Sequence, residues 1–122
     1  MGNPIASFGA PTALTDGAVI LADCTTGTHF TVTLGATGRT LTLVNPAAGQ
    51  IVTVEVKQDA TGSRTITTYN GTHPNAGVDT VAWASATAPT LTTTAAAIDV
   101  LRFTYNPTAA RWIGETVSKA IG

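Results

Sequence analysis

Apolar and polar residues alternate with a period of two along most of this chain. In His29–Leu34, Phe30, Val32 and Leu34 fall on one side and His29, Thr31 and Thr33 on the other. Such alternation sends one set toward a core and the other toward solvent, the mark of a half-buried strand. Leu41 and Leu43 repeat it within 40–44, and in Ile51–Gln58 Val52, Val54 and Val56 alternate with Thr53, Glu55 and Lys57. Residues 18–23 are a short apolar run and 64–69 a weaker alternation; 78–83 and 90–94 are short candidates, and 97–105 and 111–117 close the series. With turn residues between them, strands at roughly 8–12-residue spacing predict an all-β fold. The expectation is a single-domain β-sandwich or barrel of about eight or nine short antiparallel strands.

Turn chemistry supports these boundaries. Asn45-Pro46-Ala47-Ala48-Gly49 and Asp59-Ala60-Thr61-Gly62 supply a Pro-fixed φ and Gly positions open to φ > 0. Thr26-Gly27, Ala36-Thr37-Gly38 and Asn106-Pro107 act similarly. Asn70-Gly71 is a good tight-turn dipeptide, but Thr72-His73-Pro74-Asn75-Ala76-Gly77 lacks the alternation of a hairpin partner, so 69–77 reads as a long exposed loop. No helical stretch of consequence is expected. Residues 1–17, with Pro4, Gly9, Pro11 and Gly17, read as an extended N-terminal arm anchored by Ile5, Phe8 and Leu14; residues 18–122 form the domain. The apolar anchors fit either a neighbour's surface or the end of the chain's own sandwich.

Composition narrows the function. In 122 residues there are 25 Thr and 20 Ala, and only 11% are charged, with a net charge of −1. Thr is β-branched and favours pleated surfaces over helices. A folded monomer of this mass exposes roughly 6,100 Å²; six cations and seven acids spread over it give about one charge per 470 Å². So sparse a coat suits packing against other protein. Strand 97–105 adds a second hint, since Ile98 and Val100 on one side and Leu101 and Phe103 on the other call for cover on both faces. Few cations and no net positive charge exclude nucleic-acid binding. No stretch approaches the ~20 apolar residues of a membrane span, and residues 1–4 predict no secretory leader.

Candidate chemistry is thin. His29 and His73 are the only imidazoles, and nothing places further metal ligands beside them. Cys24, alone and next to Asp23, reads as a buried structural thiol. Glu55 and Glu115 sit at solvent-facing strand positions without a cleft between them. Asn70-Gly71-Thr72 matches a glycosylation acceptor but reads more simply as a turn. No catalytic residue, metal site or cofactor is expected. Trp112 and Tyr105, opposite each other across Asn106-Pro107, predict a cross-strand aromatic pair. Tyr69 and Trp83 fit either the core or an exposed rim.

Residues 23–34 (DCTTGTHFTVTL), 39–67 (RTLTLVNPAAGQIVTVEVKQDATGSRTIT), 87–106 (TAPTLTTTAAAIDVLRFTYN) and 111–115 (RWIGE) carry a resemblance. Together they resemble a small β module of tailed-bacteriophage virion proteins, found in capsid-decorating proteins and in tail-fibre or tail-tip proteins. The chain departs from that module over 68–77. The resemblance implies a non-enzymatic virion protein made in the bacterial host cytoplasm and carried on the particle surface. Its implied role is capsid decoration (cement), with the major capsid protein and neighbouring copies of itself as partners, in a trimer or dimer. The alternative is a tail-fibre or tail-tip module that binds a host receptor or surface glycan through a rim of Tyr69, His73 and Trp83.

Overall fold

The structure, a computed structural model, describes residues 10–73 and 76–122. Among the described residues nine strands form two sheets. They are β1 (Thr12–Ala13), β2 (Val19–Asp23), β3 (His29–Leu34), β4 (Arg39–Val44), β5 (Ile51–Gln58), β6 (Ile66–His73), β7 (Ala76–Thr80), β8 (Ile98–Asn106) and β9 (Arg111–Ile121). A five-stranded sheet has the order β1-β3-β5-β8-β9 and a four-stranded sheet the order β2-β4-β6-β7. The all-β class agrees with the sequence pattern, and so do the strands over 18–23, 29–34, 40–44, 51–58 and 97–105.

Strand direction does not agree. The ladders β1–β3, β3–β5, β2–β4 and β4–β6 are parallel, and β5–β8, β6–β7 and β8–β9 are antiparallel. The cause is the kind of connection. Loops 24–28, 35–38, 45–50 and 59–65 do not fold a strand back beside its predecessor. Each carries the chain across to the opposite sheet, so every second strand becomes a hydrogen-bonded neighbour running the same way. Parallel neighbours need a crossover between them, and here the crossover is a strand of the other sheet. Periodicity tells which face a residue takes, not which strand lies beside it.

Two other segments differ. Residues 69–77 are not a long loop: β6 runs to His73 and pairs antiparallel with β7. Residues 90–94 form no strand; they are part of an irregular strap, with a short 3₁₀ turn at Ala84–Ala86, that returns the chain to the five-stranded sheet. The strap is held by Ser63 N–H donating to the Thr93 carbonyl at 2.8 Å. Gly62 beside it has φ +75°, and a Cβ there would lie 2.6 Å from that same carbonyl oxygen, so both the backbone angle and the space require glycine.

The core lies between the sheets. Alternate residues Phe30, Val32, Val54, Leu101 and Phe103 face Ile20, Leu41, Leu43 and Tyr69, all buried. Tyr105 and Trp112 are register partners on β8 and β9 with ring centroids 5.4 Å apart, the aromatic pair expected from the sequence. Cys24 is buried, and burial with the nearby Asp23 charge pushes its thiol up to about 11. Of the arm, β1 pairs with β3 and Leu14 packs partly buried against the core. Ile5 and Phe8 lie outside the described residues.

Candidate functional site

Each acid of the chain has a partner. The Asp16 carboxylate accepts from Arg39 Nη2 at 2.7 Å and from the Gly35 N–H at 3.0 Å, and the Arg39 bond holds its pKa below the ordinary value. Asp59 accepts from Arg64 Nη2 at 2.9 Å and from the N–H groups of Thr61 and Gly62, again with a lowered pKa led by the arginine. Asp23 accepts from the Thr25 hydroxyl and N–H and from Asn45 Nδ2, and Thr25 is what chiefly lowers its pKa. Glu55 lies 2.5 Å from His29 Nε2, Asp79 2.9 Å from His73 Nε2, and Glu115 2.7 Å from Arg102 Nε. Asp99 is buried, taking the Thr92 N–H at 2.6 Å and the Ala120 N–H at 2.9 Å. These pairs fasten loops and strand rows. Among the described residues no group of three or more His, Cys, Asp or Glu could hold a metal ion.

The aromatic rim takes a different form from the expected one. Tyr69 is 2% exposed, so it belongs to the core. Trp83 is half-buried, its ring 5.1 Å from Tyr69 and 5.6 Å from Phe103, with its benzo edge over Gly114. The His73 side chain is only 10% exposed and pairs with Asp79. The structure thus brings Tyr69 and Trp83 together beside Phe103, while His73 pairs with Asp79. A cleft of about 490 Å³ does open beside the pair, walled by Thr67, Thr68, Thr80 and Arg111. The Tyr69 hydroxyl and the Trp83 Nε1 are buried without a hydrogen-bond partner among the described residues. Burial, then the Asp99 charge, raises the Tyr69 pKa.

The stronger asymmetry lies between the two outer faces. On the five-stranded sheet, registers align His29, Thr53, Arg102 and Glu115 in one row and Lys57 with Ile98 in another, so charge crosses the whole face. Ile98 and Val100 there are only half-buried, which leaves the expected cover on both faces of β8 incomplete. On the four-stranded sheet the rows are Val19–Thr40–Thr68, Leu21–Thr42–Asn70–Thr80, Asp23–Val44 and Thr72–Val78. These rows contain no Lys, Arg, His or Glu, and their one acid, Asp23, is engaged by its own loop. Val19, Leu21 and Val78 are each more than half exposed on that face. The sequence pattern had marked these strands but not their adjacency, and adjacency is what assembles this surface with its single charge, Asp23.

No protein-family model, curated protein or solved structure matches this chain.

Proposed function

We propose that this chain is a non-enzymatic structural protein of a bacteriophage particle, and that it acts as a capsid decoration protein bound by protein–protein contacts. The observation that carries the reading is the charge-poor outer face of the four-stranded sheet, whose rows hold one acid, Asp23, and no cation. Three of that sheet's strands, β2, β4 and β6, pair in parallel, and parallel ladders ordinarily have both faces covered. Here nothing covers the outer one among the described residues. In this reading the uncharged Thr and Val rows meet the shell, while the ion-paired face of the five-stranded sheet meets water.

Size sets how the contact works. Four strands about 4.8 Å apart and about five residues long give a footprint of roughly 320 Å². That is well below the ~800 Å² per partner of a stable pair. One copy therefore binds weakly through this face alone, and firm attachment needs the N-terminal arm, contacts between copies, or both. Repetition over a symmetric shell supplies the rest, because linked weak contacts add as effective concentration. The expected partners are the major capsid protein and further copies of this chain.

The test is to heat particles stripped of this chain, with and without the purified protein, and follow DNA release. The reading predicts release at a higher temperature on adding the wild-type chain and no protection by Leu21→Lys. Equal protection by that variant counts against the face, and no protection by the wild type counts against the function.

A second reading, a tail-tip module binding a host glycan, has one observation in its favour: the cleft beside Trp83 and Arg111, with two unpartnered polar atoms close by. Saturable binding on a glycan array, lost in Arg111→Ala, would select it over decoration.

A further inference from the structure

Three of the four arginines are fastened to carboxylates: Arg39 to Asp16, Arg64 to Asp59 and Arg102 to Glu115. Arg111 has no such partner among the described residues, and it stands exposed at the first position of β9. It lines the cleft of about 490 Å³ beside Trp83, a volume ordinary for a small-molecule site. On its other side Arg111 shares a depression of about 370 Å³ with Asp79, whose carboxylate is held by His73. That acid turns an incoming anion away from the depression and toward the cleft, whose lining holds no acid.

The opposite wall is rich in hydroxyls. Thr67 and Thr68 are neighbours in β6, and regular alternation would point them to opposite faces. The β4–β6 register instead steps from Arg39↔Ile66 to Thr40↔Thr68, which leaves Thr67 as an extra, bulged residue. Both threonines then line the cleft, and bulges commonly re-aim side chains beside binding sites. Thr80 adds a third hydroxyl, and none of the three makes a hydrogen bond among the described residues. Tyr69 and Trp83 line the same cleft and carry the two buried polar atoms left without a partner. Ala86 of the wall holds φ +54°, a left-handed backbone that strains an alanine, and such strain gathers at ligand clamps.

We propose that this cleft binds a carboxylate-bearing sugar, with Arg111 pairing the carboxylate and the hydroxyls of Thr67, Thr68 and Thr80 taking those of the ring. One planar guanidinium matches one planar carboxylate through two parallel hydrogen bonds. A threonine hydroxyl both donates and accepts, as a sugar hydroxyl does. Phosphate, with its higher charge, ordinarily draws a helix N-terminus or several cations. Here the lining offers Arg111 alone and no α-helix. The inference rests on the glycan-binding reading and narrows it to acidic sugars; capsid decoration neither needs nor opposes it.

The experiment titrates the full chain with glucose, glucuronate and glucose 6-phosphate, which share a ring and differ at one position. Amide and indole N–H chemical shifts follow the binding. Glucuronate should move the signals of Thr68, Thr80, Arg111 and the Trp83 indole, and should bind roughly tenfold tighter than glucose. Arg111→Ala should bring glucuronate down to the level of glucose, and Arg111→Lys should keep only part of the preference, because an ammonium cannot make the bidentate pair. Thr68→Val should weaken glucose and glucuronate alike. Lys57→Ala, which removes an exposed cation from the five-stranded sheet, should change neither. Matched unfolding midpoints would confirm that each variant is folded. Equal binding of glucose and glucuronate overturns the acid preference and spares the glycan reading. Tighter binding of glucose 6-phosphate than of glucuronate overturns the carboxylate assignment. Shifts from none of the three overturn the inference, and array binding lost in Arg111→Ala would in that case still uphold the glycan reading by itself.

Discussion

The indole of Trp112 fills the space a side chain at residue 71 would occupy: a Cβ on Gly71 would lie 1.9 Å from its Cδ1. The indole Nε1 continues past that glycine to donate to the Thr72 carbonyl at 3.0 Å. A strand of the four-stranded sheet is thereby fastened to the last strand of the five-stranded one. Trp83 repeats the arrangement more loosely, its ring edge 2.7 Å from where a Gly114 Cβ would stand. Glycine inside a strand weakens it unless another group must come close, and at both positions a tryptophan does.

Gly71→Ala should therefore be the more damaging of the two alanine substitutions. Trp112 is 1% exposed and has nowhere to go, so overpacking should cost about 3 kcal/mol in urea unfolding. Gly114→Ala meets a half-buried ring with room to shift and should cost about 1 kcal/mol. The reverse order would show that Trp112 is not the fixed member.

Tyr69→Phe should stabilise the protein. The hydroxyl is buried without a partner among the described residues, and removing an unpaired buried polar group recovers about 1 kcal/mol of its desolvation cost. A rise in the urea midpoint checks this. A fall would show that the hydroxyl has a partner in solution, such as a bound water.

Asp99 ties the strap to the end of β9 by accepting from the Thr92 and Ala120 N–H groups. Asp99→Ala leaves the half-buried Thr92 N–H without an acceptor and gives the N–H of exposed Ala120 to water, and should cost about 2 kcal/mol. Amide exchange at Thr92 and Ala120 should speed up before that of the central strands. Uniform acceleration across both sheets would place Asp99 in the global core instead.

Acid should loosen the turns first. The carboxyls of Asp16 and Asp59 have folded pKa values below their ordinary 3.8. A lowered pKa means that the folded state binds fewer protons than the unfolded one. The stabilisation is thus complete above about pH 4 and lost as the pH falls through the folded values. Arg39→Ala should flatten the stability profile below pH 4, measured by urea unfolding at stepped pH. An unchanged acid limb would show that the Asp16–Arg39 pair is not linked to folding.

How far the chain could be read ahead of its structure follows from what alternation encodes. Phe30, Val32, Val54 and Phe103 declare their inward face because side-chain direction has a period of two. Tyr105 and Trp112 declare their pairing because a short turn separates them. The parallel ladders were hidden, since Asn45-Pro46 and Asp59–Gly62 look alike whether a loop folds back or crosses to the opposite sheet. Asn70-Gly71 looked like a turn because the reason for its glycine lies far along the chain, at Trp112. The threonines of 90–94 favour strands locally, yet their backbone is spent on Ser63 and Asp99. Tyr69 and Trp83 left core and rim both open, and only the packing against Phe103 and Gly114 distinguishes them. The charge-poor face was legible as composition alone; its location needed the strand order.

The central claim is that this chain works as part of a particle, with the face carrying Val19, Leu21 and Val78 turned inward. Cryo-electron microscopy of purified particles tests it most directly. The account predicts density for this two-sheet fold on the particle surface, its four-stranded sheet against the shell and the Arg102–Glu115 row toward solvent. Particles that lack the chain, or that hold it by the ion-paired face, would contradict the account.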